Sequence, residues 1–158
     1  MKLKQKIVLV TGAGSGIGRE TSILFAKEGA SVICLDSNYL SAVETLEALK
    51  KYNNPSIALE CDVSKNKDVQ EVLRNVKKNY STIDIIFNGA GIHSRNLSLE
   101  NASHEQIWDR VIEVNLKGTY LVNYCFVPLM KEKKSGSIIN VSSIMGLVGY
   151  SKGFGVGF

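Results

Sequence analysis

The sequence predicts an α/β fold built on a doubly wound parallel sheet, and three observations carry that prediction. Short runs rich in Val, Ile and Leu alternate with longer segments of helical period, in the order β-α-β-α-β-α-β-α-β. The first run, Ile7 to Val10, is continuously apolar, as suits a strand buried on both faces. A glycine-rich turn, Thr11-Gly-Ala-Gly-Ser-Gly-Ile-Gly18, joins that run to the first helical segment. Right-handed crossovers then put two helices on each face of the sheet.

Each element has its own warrant. Ile17 to about Lys27 reads as the first helix and Ser31 to Asp36 as the second strand. Leu40, Val43, Leu46 and Leu49 recur every third residue on a second helix that closes on Lys50 and Lys51, cations that suit the negative helix end. Pro55 stops that pattern, Ile57 to Glu60 is a third strand, and Val69, Val72, Leu73 and Val76 trace a third helix. Ile83 to Phe87 is the fourth strand. Ser103 with Gln106 predicts a capping box opening a long helix to about Lys134. That helix is apolar on two sides, with Ile107, Val111, Val114 and Val122 on one and Trp108, Ile112, Leu116, Tyr120 and Tyr124 on the other. One stripe can face the sheet; the second needs another partner. Gly136 to Val141 supplies the fifth strand.

Composition bounds the function classes. The chain has 158 residues, 44% hydrophobic and 22% charged, which is enough for one domain with a core. Nineteen Lys and Arg against fifteen Asp and Glu leave +4, too mild and scattered for a nucleic-acid surface. No apolar stretch approaches a membrane span, and the four apolar residues after Lys6 are too few for a signal peptide, so the expectation is a cytoplasmic protein. Cys34, Cys61 and Cys125 lie far apart and read as buried reduced thiols. His93 and His104 have no companions at metal-ligand spacing, so no metal is expected.

The glycine turn is where chemistry enters. Without side chains, Gly12, Gly16 and Gly18 let the backbone approach a pyrophosphate, and the new helix offers free N–H groups and a positive dipole end. Twenty positions after Gly16, Asp36 closes the second strand, where a carboxylate can accept hydrogen bonds from a ribose diol. The alternative for Asp36 is a helix N-cap. A 2′-phosphate would be repelled by Asp36, and neither Ser15 nor Ser37 brings a compensating cation. NAD is therefore expected over NADP.

With these residues in view, the sequence resembles the short-chain dehydrogenase/reductase family, in its N-terminal portion. Thr11-Gly-x-x-x-Gly-Ile-Gly18 matches the family's cofactor turn, including Ser15 and Ile17 within it. Cys61-Asp62-Val63 resembles its adenine-pocket segment, which implies Asp62 near the base and Val63 packed on it. Phe87-Asn-Gly-Ala-Gly91 resembles its Asn-Asn-Ala-Gly motif, so Asn88, Ala90 and Gly91 are expected at the cofactor, although Gly89 replaces the second Asn. Asn115 matches the family's long-helix Asn, implying a water-holding role against the alternative of a locally satisfied core amide. Ser143 in Asn140-Val-Ser-Ser143 matches the catalytic Ser, against the alternative of a strand-end cap. The resemblance implies a Rossmann-type fold and hydride transfer between nicotinamide and a small-molecule alcohol or ketone. It also implies homo-oligomers in full-length relatives.

One family element is not matched. The acid/base pair is Tyr-x-x-x-Lys, four residues apart on one helix face. Here Tyr150 and Lys152 stand two apart and would point about 200° apart on a helix. Ser151-Lys152-Gly153 resembles the end of the family's segment, with Lys152 as its surviving lysine. The expectation is a dinucleotide-binding domain over residues 1–149, cut short after strand five, with an atypical Gly/Phe tail over 150–158. Binding without turnover, or an inactive fragment, is the competing reading.

Overall fold

The computed structural model describes residues 1–80, 82–93, 102–144 and 147. Tyr150, Lys152 and the 150–158 tail singled out above lie outside the described residues. The strands are β1 (Ile7–Thr11), β2 (Ser31–Asp36), β3 (Ile57–Glu60), β4 (Ile85–Asn88) and β5 (Ser137–Asn140). They form one parallel sheet in the order β3-β2-β1-β4-β5. This is the Rossmann-type, doubly wound arrangement. The chain builds outward from β1 to β3, then crosses back to place β4 on the other side of β1.

Alternation along the strands divides the core in two. Val8, Val10, Val32 and Cys34 face α1 (Gly16–Lys27) and α2 (Tyr39–Leu49), whereas Leu9, Ile33 and Leu35 face α3 (Asn66–Asn79) and the long helix. All seven are at most 1% exposed, which is why β1 carries no polar alternate positions. Val69, Val72 and Val76 are the buried stripe of α3, as its period predicts. The cysteines are free and buried. Burial pushes the Cys34 and Cys61 thiols up to about 12, with Asp68 and Asp62 adding to the effect on Cys61.

Three details differ from the sequence expectation. In α2 the buried face is Ala42, Thr45 and Leu49, and Leu40 is 73% exposed. The helix begins at Tyr39 on an Asn38 cap, which leaves Leu40 pointing outward in the first turn, while Thr45 turns inward to bond the Ala13 carbonyl at 2.8 Å. Because Asn38 accepts from the Ser41 N–H, the N-cap role open to Asp36 is taken. β4 starts at Ile85, since Asp84 before it uses its side chain to bind other elements. The long helix is α4 (His104–Ile112), a π-helical stretch over Glu113–Gly118, and α5 (Thr119–Lys133).

The Ser103–Gln106 capping box forms in both directions. Beyond it, Val111 is buried, and Val114, Leu121, Val122, Cys125 and Phe126 join the core with the sheet and α3. The second stripe is exposed: Leu116, Tyr120 and Tyr124 are 59–65% accessible, and the two tyrosine rings stack at 5.8 Å. Among the described residues, no helix is long and apolar enough to cross a membrane, and no group of three His, Cys, Asp or Glu is placed to hold a metal.

Asp84 ties the amino ends of β1 and β4 to the carboxyl end of α5. Its carboxylate, 6% exposed, accepts from the Ile7 N–H at 2.9 Å, the Lys6 ammonium at 3.1 Å and the Lys133 ammonium. Burial alone would raise its pKa; the Lys133, Ile7 and Lys6 donors outweigh that and hold the carboxyl below the usual carboxylate range. A carboxyl depressed on folding stabilises the chain above its unfolded pKa, and that contribution is lost as pH falls through the folded value. Asp84→Asn is expected to cost about 1–3 kcal/mol at neutral pH, because both lysines remain partly solvated. Its stability should also fall less than wild type between about pH 5 and 3 in denaturant titrations. Parallel pH profiles would show that Asp84 does not carry this acid sensitivity.

Candidate functional site

In a sheet ordered 3-2-1-4-5, connections leave β1 and β4 toward opposite faces, and a crevice opens beyond their carboxyl ends. A cleft of about 350 Å3 lies there. Its lining includes Gly12, Ser15, Gly16, Ile17, Gly18, Asp36, Asp62, Val63, Ala90 and Gly91, which the sequence singled out from four separate segments. Ser37, Cys61, Gly89, Ile92, Arg110 and Val114 complete it.

The loop after β1 is shaped by close approaches. Gly12 has φ +66°, and a Cβ there would meet the Ala90 Cα at 2.8 Å, so this loop and the one after β4 touch backbone to backbone. The Thr11 hydroxyl fixes the contact by accepting the Gly89 and Ala90 N–H groups, both at 3.1 Å. A Cβ on Gly18 would lie 2.0 Å from the Gly12 carbonyl oxygen, which is how the first turn of α1 folds back on its own loop. Gly16, φ +48°, has nothing within 4 Å of its missing Cβ, leaving open space at the helix entrance. Ser15 precedes α1 without a side-chain cap bond, so the first N–H groups of α1 are left to the cleft.

Polar partners hold the loop from outside. Asp36 accepts the Gly14 N–H at 2.8 Å through one oxygen and the Asn38 N–H at 2.9 Å through the other, and retains further lone pairs. The Ala13 N–H bonds the Leu35 carbonyl at 2.9 Å. Arg19 reaches back from α1 to the Gly14 carbonyl at 2.5 Å and across to Glu44 at 2.9 Å. Nothing in the residue pattern marks Arg19 or Thr45 for this role, since both occupy ordinary helix positions.

At the far end, Asp62 accepts from the Ser64 N–H at 3.0 Å and hydroxyl at 2.6 Å through one oxygen. Its other oxygen faces Arg110 at 3.2 Å and Lys65 at 3.3 Å. Burial opposes ionisation, but the Ser64 and Arg110 donors prevail and hold the carboxyl at about 2. Val63, 5% exposed, packs on Gly118, where a Cβ would lie 2.6 Å from the Val63 Cγ2.

Three predicted residues stand off the cleft lining. Asn88 is 3% exposed and points between strands and helix, donating to Asn123 at 3.0 Å and Asn140 at 2.8 Å. Asn115 lies in the π-helical stretch and clamps the Ile92 backbone, accepting its N–H at 2.8 Å and donating to its carbonyl at 3.0 Å. Its own carbonyl accepts from the Thr119 hydroxyl at 3.0 Å. Ser143 follows β5 by three residues. Gly89, where the resemblance expects Asn, has a physical cause: a Cβ there would meet the Phe87 ring at 2.7 Å and the Thr11 carbonyl oxygen at 3.0 Å. Phe87 is itself packed edge-on against Phe25 at 6.4 Å.

Comparison with known proteins agrees with this architecture. The family model described as short chain dehydrogenase matches residues 6–154. A 3-oxoacyl-(acyl-carrier-protein) reductase of Thermotoga maritima is 41% identical over 152 residues, covering 94% of this chain and 60% of that protein. Among solved structures, levodione reductase matches with TM-score 0.87 and 28% identity over 98% of this chain and 60% of its own. NAD+-bound xylitol dehydrogenase matches with TM-score 0.85 and 26% identity over 95% and 57%. The chain thus spans about 60% of the length of the curated relative.

Installing the missing Asn tests the packing account of Gly89. Gly89→Asn is expected to cost about 1–3 kcal/mol in chemical denaturation through overpacking against Phe87. An unchanged midpoint would show that the loop yields around the added side chain.

Proposed function

The chain belongs to the short chain dehydrogenase family, and from that premise we propose that the intact protein is an NAD-dependent oxidoreductase acting on a hydroxyl or carbonyl carbon of a small-molecule alcohol or ketone. One observation supports the cofactor choice above others: the Asp36 carboxylate ends β2 inside the cleft, tied to Gly14 of the glycine loop. A ribose diol offers it donors, whereas a 2′-phosphate brings like charge. Arg19, the α1 cation that reaches this loop, is committed to Glu44 and the Gly14 carbonyl. The residues fit the dinucleotide, since Gly12 and Gly18 lie where any Cβ would collide and Gly16 leaves the helix entrance open.

In this reading residues 1–149 form the dinucleotide-binding domain. Ser15, Gly16, Ile17 and Gly18 receive the pyrophosphate at the α1 N-terminus, Asp36 the ribose, and Asp62 and Val63 the base. Asn88, Ala90 and Gly91 shape the centre of the site. When bound, the nicotinamide group supplies or takes the hydride. The Ser143 hydroxyl hydrogen-bonds the substrate oxygen as its charge changes, and Asn115 positions the loop at Ile92. A second reading, binding without turnover, is favoured by the two-residue spacing of Tyr150 and Lys152, which breaks the family's acid/base pattern. Cytoplasmic residence suits three buried, unpaired thiols. Self-association through Leu116, Tyr120 and Tyr124 suits their exposure; a monomer in sedimentation that Tyr120→Glu leaves unaltered would remove that part.

Calorimetric titration with NADH and NADPH, followed by a panel of secondary alcohols and ketones, tests the proposal. NADH is expected to bind more tightly, with Asp36→Ala weakening NADH about tenfold more than NADPH. Equal losses would sink the ribose assignment. Turnover abolished by Ser143→Ala supports the oxidoreductase, binding without turnover supports the second reading, and a folded chain that binds neither dinucleotide removes both.

A further inference from the structure

The cleft has one cation that none of its motifs explains. Arg110 sits in the last turn of α4, some 46 residues beyond the β3–α3 loop it grips. It grips that loop with a fork: one guanidinium nitrogen donates to the Ser64 hydroxyl at 2.8 Å, the other to Asp62 at 3.2 Å. The Ser64 hydroxyl in turn donates to the other Asp62 oxygen at 2.6 Å, so Arg110, Ser64 and Asp62 close a ring of charge-assisted hydrogen bonds. Glu113 steadies the guanidinium from behind at 3.6 Å. Asp62 is 13% exposed and Arg110 38%, and both line the cleft.

This ring fixes what the end of the cleft offers a ligand. With every neighbour donating, Asp62 is ionised and is an acceptor only. The Lys65 ammonium, 55% exposed, is the donor a ligand can displace without dismantling the ring. A base edge bearing an amine can take that place; one bearing a carbonyl meets two acceptors face to face, at a site where buried polar groups discriminate strongly.

Resting on the dinucleotide reading above, we propose that Arg110 is a positioning residue that sets base selectivity by locking the Asp62 carboxylate through Ser64. It acts on the base through Asp62, without touching the hydride-transfer end of the site. Lysine cannot replace it, because an ammonium does not reproduce the two-pronged fork.

The test compares binding of NADH with nicotinamide hypoxanthine dinucleotide, in which the adenine amine is replaced by a carbonyl, and with nicotinamide mononucleotide, which has no base. All are titrated by fluorescence into the 158-residue chain, with thermal melts confirming that each variant is folded. Wild type should prefer NADH over the hypoxanthine form by about tenfold or more, and Arg110→Ala and Arg110→Lys should each cut that preference to about threefold or less. Mononucleotide affinity should not move. Asp62→Asn should abolish the preference, and adding Arg110→Ala to it should change nothing further. If Arg110 instead stacks on the base or only supports the fold, both dinucleotides weaken together and the ratio survives, which overturns the proposal. Should wild type bind neither dinucleotide, the broader function reading fails first, and the proposal with it.

Discussion

The constraint on which everything else hangs is the double pairing of β1. It is hydrogen-bonded to β2 on one side and β4 on the other, and its interior residues are fully buried on both faces. A strand so enclosed can leave the sheet only at its ends. At the carboxyl end the chain must turn within a few residues into α1 while β4 delivers its own loop alongside. The two loops collide unless both are nearly bare of side chains, and Gly12, Gly89 and Ala90 meet that demand. Thr11 then joins them with one hydroxyl oxygen accepting two N–H groups. The cleft is the space left over when two backbones are forced together at a point where helices depart to opposite faces.

Aspartates at the two ends of the sheet show how surroundings assign roles to identical side chains. Asp84, at the amino end, is saturated by two ammonium groups and a backbone N–H, and it lies away from the cleft. Its work is to hold β1, β4 and the end of α5 together. Asp36, at the carboxyl end, carries only two backbone donors and keeps acceptor capacity facing open space. Asp62 falls between: strongly bonded, yet with its Lys65 partner out in solvent. The count and exposure of donors, rather than residue type, separates a saturated carboxylate from one with acceptor capacity to spare.

Much of this was legible in the sequence because the fold writes its demands locally. Continuous β-branched runs mark strands buried on both faces, and the glycines and Asp36 mark the cleft because backbone geometry and strand-end position leave few alternatives. The capping box was legible for the same reason, being a reciprocal bond within four residues. What escaped is mostly long-range. Thr45 and Arg110 serve loops far from them in sequence, Arg19 folds back on the loop just before its own helix, and each occupies a helix position where a polar residue would look ordinary. Leu40 misled in the opposite sense, since period alone does not say where the first turn of a helix points.

The π-helical stretch binds these threads into one body. Within it the Thr119 hydroxyl donates to the Asn115 carbonyl, and the Asn115 side-chain amide satisfies both polar groups of Ile92. An amide in an apolar helix is tolerable only when so fully paired. The pairing anchors the loop after β4, and thus Gly91 and the cleft wall, to the middle of the longest helix. That same helix carries Arg110 five residues earlier and the exposed Leu116, Tyr120 and Tyr124 stripe on its outer side. The Asp62 end of the cleft, its central wall and the exposed apolar stripe are therefore all tied to this one long helix.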